Sequence, residues 1–412
     1  MFMKKLLFYI FLLVSVPALS NGVTRQAREN IKKKQKLEQT VKDLVGLAKK
    51  EDTPHRLRIE CYMLAAECSK RINEVENEKL YLKQAYDTTK FYASIQDMYR
   101  YMELADSVSS TPNEKGVIKR KNPRSYRDFL RPYRSNLLNG GLWHFSRNRS
   151  AQAYNYFDNY LNTAKSAVFV QDNYFMTDTL MPSAAYMAVF AAQDSKNLDG
   201  VIKYAKMAKR AGQKSYLVQE YFARAYEAKE DTAHWIPSLY DGMREFPQHH
   251  YFFSHLLDYL TETKQYERGM AVCDSMIQES DTVALYWYAK GMLLLRQHKD
   301  REAIDACDSC LALDSTFVNA YYNKGIAALN LALIATEHAC TDVTDPQSRI
   351  DRQTIHNYYI LAKDPMEKVR ALEPENSDRW AAPLYRIYLN LNMGKEFDEM
   401  EKIVNGVKTK AK

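Results

Sequence analysis

The sequence predicts an all-α protein, an α-solenoid of stacked antiparallel helix pairs, and three observations support this fold class. Small and apolar residues recur in similar patterns at a period of thirty-four residues. The chain has only 13 glycines and 12 prolines in 412 residues, about half of their usual share. Tyrosine alone numbers 30. Few turn-forming residues and many aromatic ones indicate long helices joined by short turns.

The N-terminus has the layout of a secretory signal peptide, with a basic start (MFMKK), an apolar run over Leu6–Val16 and small residues ending at Ser20. At 1.5 Å per helical residue the apolar run spans about 16 Å, against about 30 Å of bilayer hydrocarbon. We therefore expect cleavage near Ser20 and a periplasmic or otherwise exported protein with no integral membrane span. The first cysteine is Cys61, which disfavours a lipid anchor.

The formal net charge of +7 is concentrated in residues 115–134, which hold eight basic residues and one acid, Asp128. The basic residues are Lys115, Lys119, Arg120, Lys121, Arg124, Arg127, Arg131 and Arg134. Such a run is either a solvated helix face or a surface for an acidic partner or an anionic surface. Nucleic acid is not an expected partner of an exported protein.

The repeat is clearest when small residues twelve positions apart are aligned. Gly291 and Ala303 form one such pair. At successive steps of thirty-four residues upstream, the aligned pairs are Leu257 and Gly269, Ala223 and Trp235, and Val189 and Val201. Four consecutive repeats therefore share one register: 182–215, 216–249, 250–283 and 284–317.

These repeats resemble the tetratricopeptide repeat (TPR) family, and the chain is similar to exported bacterial TPR proteins such as those of Bacteroidetes. The family carries a bulky residue at position 4, small residues at 8 and 20 and apolar residues at 11 and 24. Trp287, Gly291, Leu294 and Ala303 match positions 4, 8, 11 and 20 of one repeat. The resemblance implies helix pairs, called A and B, stacked into a right-handed superhelix that is irregular at both ends.

The register extends less strictly beyond the four central repeats and gives a domain organisation. A signal peptide is predicted at 1–20 and an N-terminal helical region at 21–133. A TPR-like array follows over 134–317, beginning with a repeat near 134–167 and about fourteen extra residues. We expect a further repeat at 318–376, split by an insertion of about twenty-five residues, and a last repeat at 377–412.

Three prolines depart from the family pattern. Pro237, Pro365 and Pro383 fall where the family's helices run, and an interior proline costs about 3 kcal/mol. We therefore expect broken or kinked helices in these repeats. Asp364 followed by Pro365 also has the pattern of an N-cap at a new helix start.

The cysteines raise the question of a metal or redox site. Cys307 and Cys310 occupy positions 24 and 27 of their repeat, and Cys273 occupies position 24 of the repeat before. These positions face inward in the family, where a free cysteine packs as a small hydrophobe. A disulfide among the three and a metal site are the alternatives, although no second Cys-x-x-Cys supplies the remaining zinc ligands.

One other cluster of potential metal ligands lies in the 318–376 insertion: Glu337, His338, Cys340 and Asp342. Its spacing is that of a polar loop rather than of a known metal motif. The chain also lacks the short motifs of phosphate loops, zinc proteases and serine hydrolases. We predict no catalytic residue, no metal and no cofactor.

The remaining chemistry is partner binding on the concave face, which the family lines with positions 2, 5, 9, 12 and 13 of helix A. Transferred to this chain, the preferred candidates are Arg224, Tyr251, Asp258, Tyr288, Met292, Arg296 and Tyr322. Further positions on the same face are Leu217, Glu220, Glu227, Ser254, Glu262, Leu285 and Ile326. The family's carboxylate clamp has Lys and Asn at positions 5 and 9, which this chain replaces with pairs such as Tyr288 and Met292.

Three hypotheses for function follow from these patterns. The first is an exported, non-catalytic TPR scaffold that binds a protein or peptide partner of the cell envelope through its concave face. The second is a glycan-binding protein of a nutrient-capture system, since some exported glycan-capture proteins of Bacteroidetes are built on such repeats. The third is an enzyme with its site in the 318–376 insertion.

Overall fold

The computed structural model describes residues 22–119, 123–212 and 214–410, and the predicted signal peptide lies outside them. Within these ranges the regular structure is helical, with no strand. Helix α1 covers 22–33. The helices that follow are α2 (Leu37–Ala48), α3 (His55–Tyr81), α4 (Thr88–Ser109), α5 (Pro123–Leu130), α6 (Arg134–Phe145), α7 (Ser150–Asn162), α8 (Tyr174–Thr177), α9 (Met181–Asp194), α10 (Leu198–Ala208), α11 (Ser215–Ala228), α12 (Thr232–Glu245), α13 (Tyr251–Glu262), α14 (Tyr266–Glu279), α15 (Ala284–Arg296), α16 (Asp300–Leu313), α17 (Val318–Glu337), α18 (Pro346–Leu372), α19 (Ser377–Asn390) and α20 (Gly394–Lys410). The all-α prediction is confirmed.

The chain divides into two compact units, an N-terminal unit that ends at His249 and a C-terminal unit that begins at His250. The boundary falls inside the predicted 134–317 array. In each unit, successive helices pack against each other in pairs, and the short turns between them make neighbours antiparallel. The N-terminal unit contains the pairs α3/α4, α6/α7, α9/α10 and α11/α12. The C-terminal unit contains α13/α14, α15/α16, α17/α18 and α19/α20.

The turn between helices A and B recurs with the period of the repeat. In the four central repeats, helix A is followed by a residue in the left-handed region, thirty-four residues apart each time: Lys196, Glu230, Lys264 and His298. In the last of these turns the amide of Lys299 donates to the carbonyl of Leu294 (3.0 Å), which is the Schellman pattern. None of the four residues is glycine, so the repeats share the backbone geometry of this turn rather than a residue type.

Glycines at position 8 allow helix A and helix B to approach closely. A Cβ added to Gly291 would lie 2.9 Å from the Sγ of Cys307, and one added to Gly325 would lie 2.7 Å from the Cε of Met366. Both partners are fully buried. The small residue at position 8 therefore makes room for the side chain that fills the groove between the helices.

The structure corrects the expectation for the three prolines. Pro237, Pro365 and Pro383 lie inside helices α12, α18 and α19, each of which continues through the proline. The prediction of broken helices is wrong, and so is the helix start at Pro365, while the alternative of kinked helices stays a prediction. Each proline removes one backbone hydrogen bond, and packing of the flanking turns against neighbouring helices offsets this cost.

The insertion in the 318–376 repeat lengthens both of its helices. Helix α17 has 20 residues and α18 has 27, compared with 12 to 14 in α13 to α16. The polar stretch TEHACTDVTDPQSRIDRQ forms the turn between them and the first turns of α18. Helix α18 begins after Asp345, whose side chain accepts a hydrogen bond from the amide of Gln347.

Candidate functional site

Six of the seven predicted binding residues lie on the A helices of the C-terminal unit. Their side chains are partly accessible: Tyr251 and Asp258 on α13, Tyr288, Met292 and Arg296 on α15, and Tyr322 on α17. Asp258 and Arg296 are the most accessible of the six, and the tyrosines and Met292 are half-buried. The set therefore combines half-buried tyrosine and methionine side chains with accessible charged ones.

The side chain of Tyr288, on α15, is held by a neighbouring aromatic ring. Its ring packs against Phe317, with 4.8 Å between ring centroids. Burial raises the pKa of its hydroxyl, while the nearby positive charge of Arg379 opposes that rise and the negative charge of Asp258 adds to it. Charges from α13 and α19 thus both act on a hydroxyl carried by α15.

Tyr322 is held by a residue that the sequence analysis missed. The guanidinium of Arg379 lies 4.6 Å from the centroid of the Tyr322 ring, within the range of a cation–π interaction. Arg379 also donates to Glu373 and Asn319, both at 2.8 Å. Arg379 stands at position 3 of the last repeat, outside the family's concave-face positions, so the resemblance gave no signal for it.

Tyr251 contributes less to an open surface than the sequence suggests. Its ring centroid lies 3.9 Å from that of His255, one helical turn further along α13, and 5.4 Å from that of Phe252. Tyr251 therefore packs along its own helix. Tyr288 and Tyr322 are the better supported aromatic candidates.

Arg224 belongs to the N-terminal unit, on α11, and takes part in a local charge network. Its guanidinium lies 2.7 Å from a carboxylate oxygen of Glu220. The second oxygen of Glu220 lies 2.7 Å from Nε2 of His249, whose ring lies against Tyr216. Although about half of the Arg224 side chain is accessible, its position is set by this buried carboxylate.

A cavity of about 500 Å³ opens in the N-terminal unit between α1, α3 and α5. Its apolar wall includes Ile31, Met63, Leu64, Met102 and Phe129. Two ion pairs lie at its rim, one between Arg28 and Glu60 and one between Arg71 and Glu74. The repeat register does not extend to residues before 134, so this cavity could not be predicted from it.

A second cavity, of about 760 Å³, lies between α4 and α7 in the same unit, and most of the residues that line it have polar side chains. Amide and charged side chains line it, among them Gln96, Asp97, Arg100, Asn155 and Asn159. Burial raises the pKa of the Asp97 carboxyl, which Arg100 partly offsets. The cavity therefore offers several hydrogen-bond donors and acceptors to a polar ligand.

The cysteines of the repeats are buried free thiols. Burial raises the pKa of Cys273 and Cys307 to about 12 and that of Cys310 to about 11. Because the thiolate is the nucleophile and the metal ligand, these protonated thiols serve packing. In the described part of the chain, no group of three or more His, Cys, Asp or Glu side chains is placed to hold a metal ion.

The ligand cluster of the 318–376 insertion is used for turn formation. The amide of Cys340 donates to Asp351 (2.8 Å), and Asp342 accepts from the amide of Thr344 (2.9 Å). Glu337 and His338 are exposed at the end of α17. These contacts describe a capped polar loop.

Part of the basic segment is buried inside the N-terminal unit rather than solvated. The Arg134 guanidinium lies 2.7 Å from Asp178 and between the rings of Tyr160 and Tyr174, at 3.9 and 3.8 Å. Arg127 donates to Gln171 (2.8 Å). Both contacts hold the connection between α7 and α9, which we call insert 163–180.

Among helices of the described residues, none is long and apolar enough to cross a bilayer.

No family model and no curated protein sequence matches the chain. A TPR repeats protein from Bacteroides fragilis is 14% identical over 66% of this chain and 98% of that one, with a TM-score of 0.32. The C-terminal part of a TPR repeat-containing protein from Cytophaga hutchinsonii is 12% identical over 64% and 93%, with a TM-score of 0.41. YrrB, a TPR protein with an unusual peptide-binding site, is 12% identical over 62% and 94%, with a TM-score of 0.24. From its helix pairs, its recurring turns and its position-8 contacts, the chain has a TPR-like fold.

Proposed function

We propose that this protein is an exported, non-catalytic scaffold that binds a protein or peptide partner of the cell envelope through the A helices of its C-terminal unit. The observation that carries the proposal is the fixed pair of half-buried tyrosines on neighbouring A helices. Tyr288 is held by Phe317 and Tyr322 by Arg379. Aromatic side chains that are already ordered lose little freedom when a partner binds, which makes them effective anchors.

The surroundings of the two tyrosines suit an extended peptide or a partner helix. Met292 offers an adaptable apolar contact, and the accessible Asp258 and Arg296 place opposite charges on neighbouring A helices. A partner with an apolar anchor and charged flanks would meet both kinds of contact. The signal-peptide layout of residues 1–20 is the basis for proposing export. An exported protein would meet its partner in the cell envelope.

Photo-crosslinking in intact cells tests the binding surface. A benzoylphenylalanine at position 292 should give crosslinks to a specific protein, whereas the same probe at exposed Glu302 on α16 should not. The double variant Tyr288→Ala with Tyr322→Ala should remove the crosslinks while circular dichroism shows an intact fold. Equal crosslinking at both positions, or crosslinks that persist in the folded double variant, would show that the concave face is not the binding surface.

Glycan binding is the second candidate, and the polar cavity between α4 and α7 is the observation that favours it. Its amide and carboxyl groups could hydrogen-bond the hydroxyls of a sugar. Calorimetry with envelope and dietary glycans, using Asn155→Ala with Asn159→Ala as the matched variant, separates the two candidates. Glycan binding that is lost in this variant would favour capture of glycans over binding of a protein.

A further inference from the structure

Large apolar side chains are exposed on insert 163–180. The exposed fractions are 71% for Val170, 46% for Phe175, 81% for Met176 and 53% for Leu180. Isolated exposed apolar residues are common on protein surfaces, but a cluster within one short segment indicates an interaction site. A side chain that is 81% exposed has little contact with the rest of the protein.

The base of the insert is firmly attached to the N-terminal unit. The Nε of Arg134 donates to the hydroxyl of Thr163 (2.7 Å), and its Nη1 lies 2.7 Å from Asp178. Although burial acts to raise it, hydrogen bonds from Tyr160 and Arg134 hold the pKa of the Asp178 carboxyl below its usual value. The exposed apolar side chains therefore extend from an anchored segment, and their exposure is a property of the fold.

The accessible charge next to these apolar side chains is predominantly positive. Helix α5 and the turn that follows it lie against the insert, since Arg127 on α5 donates to Gln171 and Arg131, just after α5, lies 3.9 Å from Asp172. The side chain of Arg131 is 64% exposed, whereas that of Asp172 is 10% exposed. Lys165 adds a second exposed cation within the insert.

One exposed acid, Asp128, lies on the same helix. Its side chain is 59% exposed and lies 3.6 Å from Arg127 and 4.0 Å from Arg124. Both neighbours are basic, so the carboxylate is partly neutralised. With Arg131, which follows α5, the exposed basic side chains of this segment are Arg124 (73%) and Arg131 (64%), and they outnumber the one exposed acid.

We propose that insert 163–180 and helix α5 form a docking surface for an anionic lipid bilayer. The apolar side chains enter the boundary between headgroups and acyl chains, and Arg131 and Lys165 contact lipid phosphates. This combination of apolar insertion and basic contacts is how proteins bind the surface of anionic membranes. A bilayer fits these exposed apolar side chains better than an acidic protein does, because a fluid interface needs no complementary cleft and takes up apolar side chains.

The test places a fluorescent reporter at the proposed point of insertion in the full chain. Met176→Trp is mixed with vesicles of phosphatidylcholine, with or without about a third of phosphatidylglycerol, that contain brominated acyl chains. We expect the added emission to be quenched at least about twofold on the anionic vesicles and little on the neutral ones. Ile350→Trp on α18, at a site 58% exposed, is the matched control and should stay unquenched.

Quenching of a tryptophan at position 176 requires that this position itself enters the bilayer. Attachment through the apolar residues before Ser20 alone would leave that emission unquenched. The parent chain gives the background of the 4 native tryptophans. Reversing both cations, Arg131→Glu with Lys165→Glu, should weaken binding of the Met176→Trp chain to anionic vesicles about tenfold or more. Circular dichroism checks that each variant is folded.

Two results would overturn the proposal. The first is a Met176→Trp chain whose added emission stays unquenched on anionic vesicles, or equal quenching of the Ile350→Trp control. The second is a shift in the emission of the Met176→Trp chain with polyglutamate but not with vesicles, which would assign the surface to an acidic protein instead of a membrane.

Discussion

The central repeats and insert 163–180 are built by different physical means. In the repeats, each helix packs on its sequence neighbour, and a glycine such as Gly291 fits the groove beside Cys307. In the insert there is little regular structure, and a buried cation, Arg134, holds Asp178, Thr163 and two tyrosine rings. The first region depends on many similar local contacts, and the second on this polar cluster together with two buried apolar side chains, Val168 and Phe169.

This difference predicts how far the destabilising effect of a substitution extends in each region. A change in one repeat alters contacts with the adjacent helices, and the remaining repeats keep theirs. Loss of the polar cluster leaves a buried carboxylate without its cation, which the buried apolar side chains of the insert, Val168 and Phe169, cannot neutralise. We therefore expect single substitutions to have their largest effect at the insert.

Arg134→Ala should give the largest effect, a loss of about 3 to 5 kcal/mol, because removing one member of a buried ion pair leaves the other charge uncompensated. Hydrogen exchange should show loss of protection in residues 163–180 before the remainder of the N-terminal unit opens. Arg131→Ala is the matched control. Its side chain is 64% exposed beside Asp172, so its loss should cost at most about 1 kcal/mol. Equal effects of the two substitutions would contradict the role assigned to Arg134.

Gly291→Ala should destabilise the C-terminal unit by about 1 to 3 kcal/mol, because the added methyl would overpack the groove. Its nearest neighbour is the Sγ of Cys307, at 2.9 Å. Adding Cys307→Ala removes that sulfur and should recover part of the loss, which urea unfolding of both variants would measure as a coupling energy.

Gly46→Ala on α2 is the control. Nothing lies within 4 Å of the added methyl, so this change should be neutral or stabilising by about 0.5 to 1 kcal/mol. A stabilising Gly291→Ala would refute the close approach.

The repeats could be predicted from the sequence because the same packing contact recurs between helices that are adjacent in the chain. The thirty-four-residue period is the spacing of that contact. The period aligned Gly291, Ala303 and Cys307 with positions 8, 20 and 24 of the repeat, and the resemblance to the TPR family implied that these positions lie inside a helix pair. The anchoring of insert 163–180 could not, because it joins Arg134 to Asp178 across two helices with no repeated pattern. Arg379 was missed for the same reason: its contact with Tyr322 depends on how α17 and α19 stack. Tyr288 and Tyr322 were found through the resemblance, and their binding role remains a prediction.

His298→Gly should stabilise the C-terminal unit by about 1 kcal/mol. His298 adopts a positive φ of 58° after α15, a conformation that costs an L-residue about 1 to 2 kcal/mol and glycine almost nothing. The recurring turn is the one feature of the repeats that residue type did not reveal, so this variant tests whether the chain tolerates a conformational cost there. His298→Ala should give no such gain, since alanine has the same backbone restriction. Thermal unfolding of both variants would decide, and an equal gain from alanine would mean that the histidine side chain is responsible.

The smallest expected effect concerns pH and the buried ring of His144 on α6. Burial lowers the pKa of this histidine, and Arg149 and Arg147 lower it further. The unfolded chain therefore binds a proton more readily than the folded one near an ordinary histidine pKa of about 6.5. The contribution of neutral, buried His144 to the free energy of unfolding is present above the unfolded-state pKa. It is lost as the pH falls below that pKa towards the lower pKa of the folded state. His144→Phe keeps a ring against Tyr156 and removes the titrating group. Urea unfolding at about pH 7.5 and about pH 5.5, on either side of that pKa, should show a smaller loss of stability for this variant than for the parent chain. If both lose the same amount, His144 does not contribute to the acid sensitivity.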